Sequence, residues 1–452
     1  MNAVRLYDTR SRTVRPLEPR DAGKVGIYAC GPTVYARIHI GNARPFVVFS
    51  LLARFLEHTG LDVTLAVNVT DVNDKIYAAA AAAGGSSVAL AAEMTAAYRA
   101  DTDRLGLGRP DHEPLASESI EAIIEYIEAL IECGHAYVAD GDVYFRVRSD
   151  AGYGSLSRRE LDTMDQAEGV EGAALKEDPL DFALWKAQKA GEDSSWQAPW
   201  GRGRPGWHIE CSAMAEGLLG TGFDIHGGGL DLLFPHHENE AAQTRAARGV
   251  ELTRHWVHNG MLELGSQKMA KSVGNIAPLY EVLDRYGRDT LILFFCGAHY
   301  RQPMDFADGP LKQAGAGIAR LRELARKLEP GPSPADLGPL RERFFAGLAD
   351  DFNTPSALAA MWEWVREAFR RDGPVGGDDL REMLEVLALA NLLDASDAEA
   401  PAEVVALAVA RQEARSGGDF ARADELRAKL ALAGWSVRDV DGGFELLPVD
   451  PP

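Results

Sequence analysis

Val25-Gly26-Ile27-Tyr28-Ala29-Cys30-Gly31-Pro32-Thr33-Val34-Tyr35-Ala36-Arg37-Ile38-His39-Ile40-Gly41-Asn42 begins the part of the chain whose pattern decides the fold. Residues 25–30 are a short apolar run of strand character, stopped by Gly31-Pro32, a pair that ends regular structure. A helical pattern follows over residues 43–58, closed by Gly60, and a second strand pattern over residues 62–68. Strand, helix and strand with a right-handed crossover make a parallel sheet with helices on its faces. Ligands of such sheets gather beyond the carboxyl ends of the strands. Cys30 stands at that edge of the first strand.

Farther along, helical patterns occupy residues 74–83, 88–105 and 118–133, and two strand patterns, 136–139 and 143–147, flank an Asp140-Gly141 turn of hairpin type. Residues from about 110 to about 203 are otherwise polar and loop-rich, and read as an insertion within the sheet domain. Sheet character returns with a strand over residues 223–226, a Gly227-Gly228-Gly229 loop and a helix over about residues 237–248. Beyond Leu311 the pattern is helical, at residues 311–327, 340–348, 355–371 and 380–393, with linker-type breaks at 329–334 and 395–401. The expected architecture is α/β, with a Rossmann-like parallel-sheet domain over residues 1–310. That domain carries the insertion at about 110–203 and a lysine-bearing region at about 250–310. An α-helical bundle over residues 311–395 and a small C-terminal domain over residues 402–452 would follow.

The 452 residues carry 47 Lys and Arg against 68 Asp and Glu, a formal net charge of −21. Such a charge opposes broad, nonspecific binding to polyanions, so any nucleic-acid contact must be local. With no basic, apolar leader and no apolar run of about 18 residues, the expectation is a cytoplasmic protein with no membrane partner. Four cysteines, Cys30, Cys133, Cys211 and Cys296, are too few and too scattered for a disulfide framework, and a reducing compartment leaves them as thiols. Cys133, before Gly134 at a helix end, and Cys296, in an apolar run, read as core residues.

Cys30, Cys211, His236 and Glu240 come from three separate regions and together form a set of soft and borderline metal ligands. His236 and Glu240 are four residues apart, which on a helix puts both on one face. Two thiolates, an imidazole and a carboxylate suit zinc. One reading is a structural metal; the other is a site that takes a further thiolate from a substrate. Glu in place of a third Cys favours the second, because structural sites close with Cys and His.

Residues 32–42 connect the first strand to the helix. Gly41 lets backbone approach a ligand closely, the helix N-terminus favours anions, and His39 and Asn42 offer donors to a phosphate or ribose. By itself the segment fits a strand-to-helix loop with one capping residue equally well. In Lys268-Met269-Ala270-Lys271-Ser272, two ammonium groups three residues apart can neutralise a departing pyrophosphate. Taken alone, this stretch also fits a solvated basic loop.

Together these segments resemble the two signature sequences of class I aminoacyl-tRNA synthetases, and the chain is similar throughout to the cysteinyl-tRNA synthetase family. The resemblance runs through residues 28–35, Asn68-Val69-Thr70-Asp71, residues 205–214, residues 223–229, residues 234–240 and Asp350-Asp351-Phe352-Asn353-Thr354-Pro355. It implies ATP-dependent activation of L-cysteine to cysteinyl-adenylate and transfer to tRNA(Cys), by a monomer that takes ATP with Mg2+. It implies one zinc (Zn2+) per chain on Cys30, Cys211, His236 and Glu240. Nucleotide contacts would come from His39, Gly41, Asn42, Lys268 and Lys271, and a contact to the ribose or the amino group from Asp231. Gly31, Thr70, Trp207 and His226 would line the amino-acid pocket.

The chain departs from the family's usual form twice, with Asn42 where a second His is frequent and Ala270 where Ser is usual. Both lysines stay, so the expectation is activity with altered ATP affinity. A site that demands a bond from the substrate thiolate rejects serine roughly 10⁴-fold or more, without an editing domain. The helical region and the final domain would grip tRNA, with Arg411, Arg415, Arg422 and Trp435 as candidate contacts, although a solvated helix face and a core Trp fit these residues at least as well. Two other activities share parts of the pattern: transfer of activated cysteine to an amino sugar in mycothiol synthesis, and tRNA binding without catalysis. The first calls for no anticodon-binding tail, and the second needs neither the lysines nor the ligand set.

Overall fold

The strand–helix–strand unit expected from residues 25–68 is present, preceded by a short hairpin. The computed structural model describes residues 3–161, 164, 173–264, 267–268, 277–394, 401–417, 419–440 and 443–448. The hairpin is β1 (Arg5–Asp8) with β2 (Thr13–Pro16), and the unit is β3 (Lys24–Ala29), α1 (Ile40–His58) and β4 (Asp62–Val67). Because α1 is covered on most sides, it is apolar almost all round, and Phe46, Val47, Phe49, Leu52, Phe55 and Leu56 are buried. Next come α2 (Asp74–Ala83), α3 (Ser87–Asp103) and α4 (Ile120–Glu132).

The segment at about 110–203, read as loop-rich apart from one helix and one hairpin, carries a five-stranded sheet that begins with that hairpin. It contains β5 (Ala136–Ala139), β6 (Asp142–Phe145), β7 (Phe182–Ala187), β8 (Trp196–Ala198) and β9 (Gly201–Pro205), antiparallel in the order β5-β6-β7-β9-β8. Ile123 and Ile127 of α4 pack with Phe145, Phe182 and Trp185 in one buried cluster, which holds the sheet on the helix. Short strands such as Gly-Arg-Gly-Arg-Pro hide the period-2 signal from the sequence.

The chain returns through α5 (Trp207–Leu219), β10 (Phe223–Gly229), α6 (Glu238–Arg248) and β11 (Thr253–Asn259). The main sheet has the order β11-β10-β3-β4 and is parallel throughout. From β3 the chain moves outward to β4, and from β10 outward to β11, so a crevice opens between the carboxyl ends of β3 and β10. The Cys30 amide donates to the Gly227 carbonyl at 3.0 Å in that crevice. Gly227, Gly228 and Gly229, expected to be a loop, instead continue β10. A Cβ on Gly227 would sit 2.0 Å from the Phe49 ring, so glycine serves close packing of α1 on the strand here rather than a turn.

Beyond the sheet lie β12 (Leu262–Leu264), β13 (Gln267–Lys268), α7 (Leu279–Tyr286), α8 (Arg288–Cys296) and β14 (Met304–Asp305), with β12 paired to both β13 and β14. The helical part comprises α9 (Asp308–Ala325), α10 (Gly338–Ala349), α11 (Thr354–Arg370) and α12 (Asp378–Val386). Its buried Phe344, Leu348, Met361, Trp364 and Leu384 belong to the same apolar core as α1.

In the last unit α13 (Ala402–Ser416) and α14 (Phe420–Leu432) pack on a hairpin of residues Trp435–Val440 and Gly443–Pro448. Trp435, read either as stacking on RNA or as a core residue, is 8% exposed in a small core with Val404, Ala408 and Leu430. Arg411 is buried as well, whereas Arg415 and Arg422 are exposed. Cys296 is buried as expected. Cys133 is exposed, because it follows the last turn of α4 and lies off the helix's apolar face. No described helix is long and apolar enough to cross a membrane.

Candidate active site

β3 ends at Ala29, so Cys30 is the first residue to enter the crevice. α5 supplies Cys211 from its second turn, and the turn after β10 together with the first turn of α6 supplies His236 and Glu240. The Cys30 Sγ lies 3.7 Å from Glu240 Oε1, and His236 Nε2 lies 3.2 Å from the same oxygen. The four candidate ligand atoms all fall within 4.8 Å of one another, and all four residues are buried. A second set, Cys30, His226, His237 and Glu240, is equally compact and shares two members with the first. His226 Nε2 stands 3.6 Å from Cys30 Sγ and 3.4 Å from Glu240 Oε2, and His237 Nε2 is 3.9 Å from Glu240 Oε1.

Crowding these groups away from water moves their proton equilibria. Burial and the hydrogen bond with Cys211 push the Cys30 thiol well up. The same hydrogen bond brings Cys211 down to about 6 against its own burial, helped by His236. Burial pulls His236 down, but Glu240 and Cys211 beside it outweigh burial and raise it. His208 and His237 are held neutral, chiefly by burial. His226 Nδ1 and His237 Nε2 are buried with no hydrogen-bond partner among the described residues. A buried set of thiols, carboxylate and imidazoles with unmet polar atoms is costly unless a cation joins it. The sulfur, nitrogen and oxygen donors fit zinc.

Around this cluster stand the other expected residues. Gly31 donates its amide to Asn68 Oδ1 at 2.9 Å, and a Cβ there would lie 1.7 Å from the Asn68 carbonyl oxygen, so only glycine fits. Thr70 is buried and receives Asn68 Nδ2 at 3.3 Å, while its backbone bridges to Thr33. Trp207 is half-buried and stacks on His236, with ring centres 4.3 Å apart. His226 stacks on Tyr28 at 5.3 Å. Asp231 is exposed on the turn that follows β10.

The helix α1 starts at Ile40, three residues before its sequence pattern, because His39 caps it. Gly41 donates to His39 Nδ1 at 3.1 Å, and His39 donates its amide to Asn42 Oδ1 at 3.2 Å. Lys268 pairs through its backbone with Glu263. Lys271 and Ala270 lie outside the described residues. Sequence reasoning passed over His237, His208 and Glu210. Glu210 is fully buried, and burial together with the neighbouring Cys211 holds its carboxyl well above the ordinary range. The position of Glu210 next to Cys211 was the one available signal.

Residues 16–316 match the family model described as the tRNA synthetases class I (C) catalytic domain, and residues 343–394 match a DALR domain. With the parallel sheet and its crevice, this defines a class I aminoacyl-tRNA synthetase. The solved structure of Mycobacterium tuberculosis methionyl-tRNA synthetase bound by methionyl-adenylate shares the fold, with a TM-score of 0.60, 17% identity, and coverage of 95% of this chain and 99% of that one. Residues 397–445 match the cysteinyl-tRNA ligase anticodon binding domain. The cysteine–tRNA ligase of Geobacillus thermodenitrificans is 41% identical over 98% of each chain. That of Alkalilimnicola ehrlichii is 44% identical over 96% of this chain and 98% of its own. The chain belongs to the cysteine–tRNA ligase family.

Proposed function

We propose that the protein activates L-cysteine with ATP and passes the cysteinyl group to tRNA(Cys), working in the cytoplasm as a monomer. The observation that carries this reading is the buried set Cys30, Cys211, His236 and Glu240, at the same edge of the sheet as the capped N-terminus of α1. In the first step the cysteine carboxylate attacks the α-phosphate of ATP in line and expels pyrophosphate. In the second, a hydroxyl of the terminal tRNA ribose attacks the adenylate carbonyl and releases AMP. Neither step needs a protein nucleophile, so catalysis rests on position and charge.

The α1 amides, Lys268 and Lys271 offer positive charge to the phosphates of ATP taken with magnesium. Asn42 keeps its Nδ2 for a phosphate or ribose oxygen while its Oδ1 caps the helix. Thr70, Trp207 and His226 flank the amino acid beside Gly31, and Asp231 takes the ammonium or the ribose. Zinc held by Cys30, Cys211, His236 and Glu240 would supply a bond for a thiolate that the hard, barely ionised hydroxyl of serine makes poorly.

The match to an anticodon-binding model over residues 397–445 supports tRNA rather than an amino sugar as the acceptor. Arg415 and Arg422 are the exposed cations of that unit proposed to meet RNA. The test is cysteine-dependent ATP–pyrophosphate exchange, with and without a zinc chelator, followed by transfer to tRNA or to an amino sugar. Exchange that depends on zinc and transfer to tRNA are expected. Exchange that proceeds equally with serine would overturn the assignment.

A further inference from the structure

Arg44 lies in the second turn of α1 and is 1% exposed. Among the described residues it pairs with no carboxylate. Its Nη1 donates to the carbonyls of Gly260 at 2.7 Å and Met261 at 2.9 Å. Its Nη2 donates to Gln302 at 2.6 Å, Tyr300 at 3.3 Å and His299 at 3.5 Å. Burial lowers the guanidinium to about 10, so it stays charged near neutrality. Five backbone acceptors from two chain segments converge on one buried fork, an arrangement only arginine can satisfy.

Both segments bear on the second signature. Gly260-Met261 leads directly into β12 and β13, which ends at Lys268, and residues 299–302 lead into β14, the parallel partner of β12. The joint is tight: the Gly260 amide donates to the Tyr300 carbonyl at 2.8 Å, and a Cβ on Gly260 would lie 2.3 Å from the Gln302 oxygen. On the far side of Lys271 the chain is tied to the same helix start. Ile40 donates to the Ala277 carbonyl at 2.9 Å, and Leu279 donates to the Ile38 carbonyl at 3.0 Å. The downstream flank of the lysine signature is thus fixed to α1 by backbone pairing, and the upstream flank by the Arg44 side chain together with Leu262, which is buried in the same apolar core as α1.

We propose that Arg44 is a positioning residue for adenylate formation: it holds residues 260–261 and 299–302, the described flanks from which β12, β13 and β14 lead off, on the helix whose capped N-terminus is assigned to the phosphates, so that the charge of the lysine signature acts as pyrophosphate departs. The proposal deepens the functional reading above and rests on it. A misplacement of about 1 Å at a site that works by position costs roughly 100-fold in rate. Loss of a contact that acts only in the transition state lowers kcat and leaves KM in place.

The experiment uses the full chain loaded with zinc and three variants, Arg44→Lys, Arg44→Met and Gly260→Ala. It reads cysteine-dependent pyrophosphate exchange, with kcat and the KM values for ATP and cysteine, beside thermal melting. For Arg44→Lys, kcat should fall about 30-fold with the cysteine KM within about twofold, since an ammonium reaches some of the five carbonyls but not all. Arg44→Met should fall about tenfold further, which makes Lys a partial rescue. Gly260→Ala should reproduce the kcat loss with Arg44 intact, because the added methyl wedges the same joint. Wild-type kcat in Arg44→Lys, or a rise in cysteine KM matching the fall in kcat, overturns the positioning role alone. Should Arg44→Met fail to fold, the other two variants decide. A wild-type chain with no cysteine-dependent exchange overturns the functional reading itself, and this role with it.

Discussion

Asn42 turns its side-chain oxygen onto the amide of His39 at 3.2 Å, while His39 accepts the amide of Gly41 at 3.1 Å. The two side chains close the start of α1 reciprocally. Asn is therefore at home where a second His is frequent in the family, because the cap asks for an acceptor and Asn has one. Asn42→Asp separates the cap from the ligand contact. The carboxylate still caps and suits the helix dipole, so stability should hold or rise by about 0.5 kcal/mol. It also repels the phosphates, so pyrophosphate exchange should drop at least about tenfold. Equal activity in the two proteins would take Asn42 out of the nucleotide site.

Cys211→Ser exchanges a soft ligand for a hard one without changing size. Bound zinc, measured by elemental analysis, should fall from about one per chain to a small fraction, and exchange with cysteine by about 100-fold or more. Full zinc content with unaltered preference for cysteine over serine would contradict the assignment of Cys211.

His255 gives the stability of the fold a pH dependence. It is buried and accepts Arg15 Nε at 3.3 Å, and burial followed by Arg15 lowers it from 6.5 to about 4. Between those values the unfolded chain binds the extra proton, so stability is complete above about pH 6.5 and declines as pH falls towards 4. The full loss is about 3 kcal/mol. His255→Gln should flatten this part of a urea-unfolding series against pH, and an unchanged slope would count against it.

Asp351 sits at φ +61° between α10 and α11 and ties that turn to the N-terminal hairpin and to the segment after α8, accepting the Tyr7 amide at 2.8 Å, Tyr300 Oη at 2.9 Å and Arg301 Nε at 2.9 Å. Asp351→Ala strips the acceptor from all three and leaves a side chain poorly suited to that backbone, with an expected cost of about 3–5 kcal/mol. Asp351→Asn keeps a carbonyl and tolerates the left-handed region, and should cost about half as much. Denaturant titration of the two proteins distinguishes these values.

Arg415→Glu with Arg422→Glu should raise the KM for tRNA about fivefold or more and leave pyrophosphate exchange unchanged. A steady tRNA KM removes both from the RNA-facing surface. Arg411 does not belong in this test, since it is buried.

The strand, helix and strand of residues 25–68 were legible because buried strands and an apolar helix leave strong local patterns. The gathering of Cys30, Cys211, His236 and Glu240 was legible from residue chemistry, from the spacing of His236 and Glu240 and from the family resemblance, whereas the equally compact set with His226 and His237 was not. What escaped was set by distant partners. The strands Trp196–Ala198 and Gly201–Pro205 are defined by neighbours across their sheet rather than by their own composition. Arg44 looks like one more charge on a helix until the five carbonyls from residues 260–302 are seen around it. Trp435 and Arg411 were ambiguous for a related reason, since aromatic and basic residues serve small cores as readily as RNA.

Gly227 and Phe49 occupy a single steric allotment, the ring filling the space that any side chain on the strand would claim. Descendants of this sequence can reshape this contact of helix and strand only by trading atoms between the two positions. A methyl gained on the strand must be matched by atoms lost from the ring, and neither residue drifts alone without wedging the helix away or leaving a hole. In an evolving lineage the pair would behave as one heritable character, split across two distant codons.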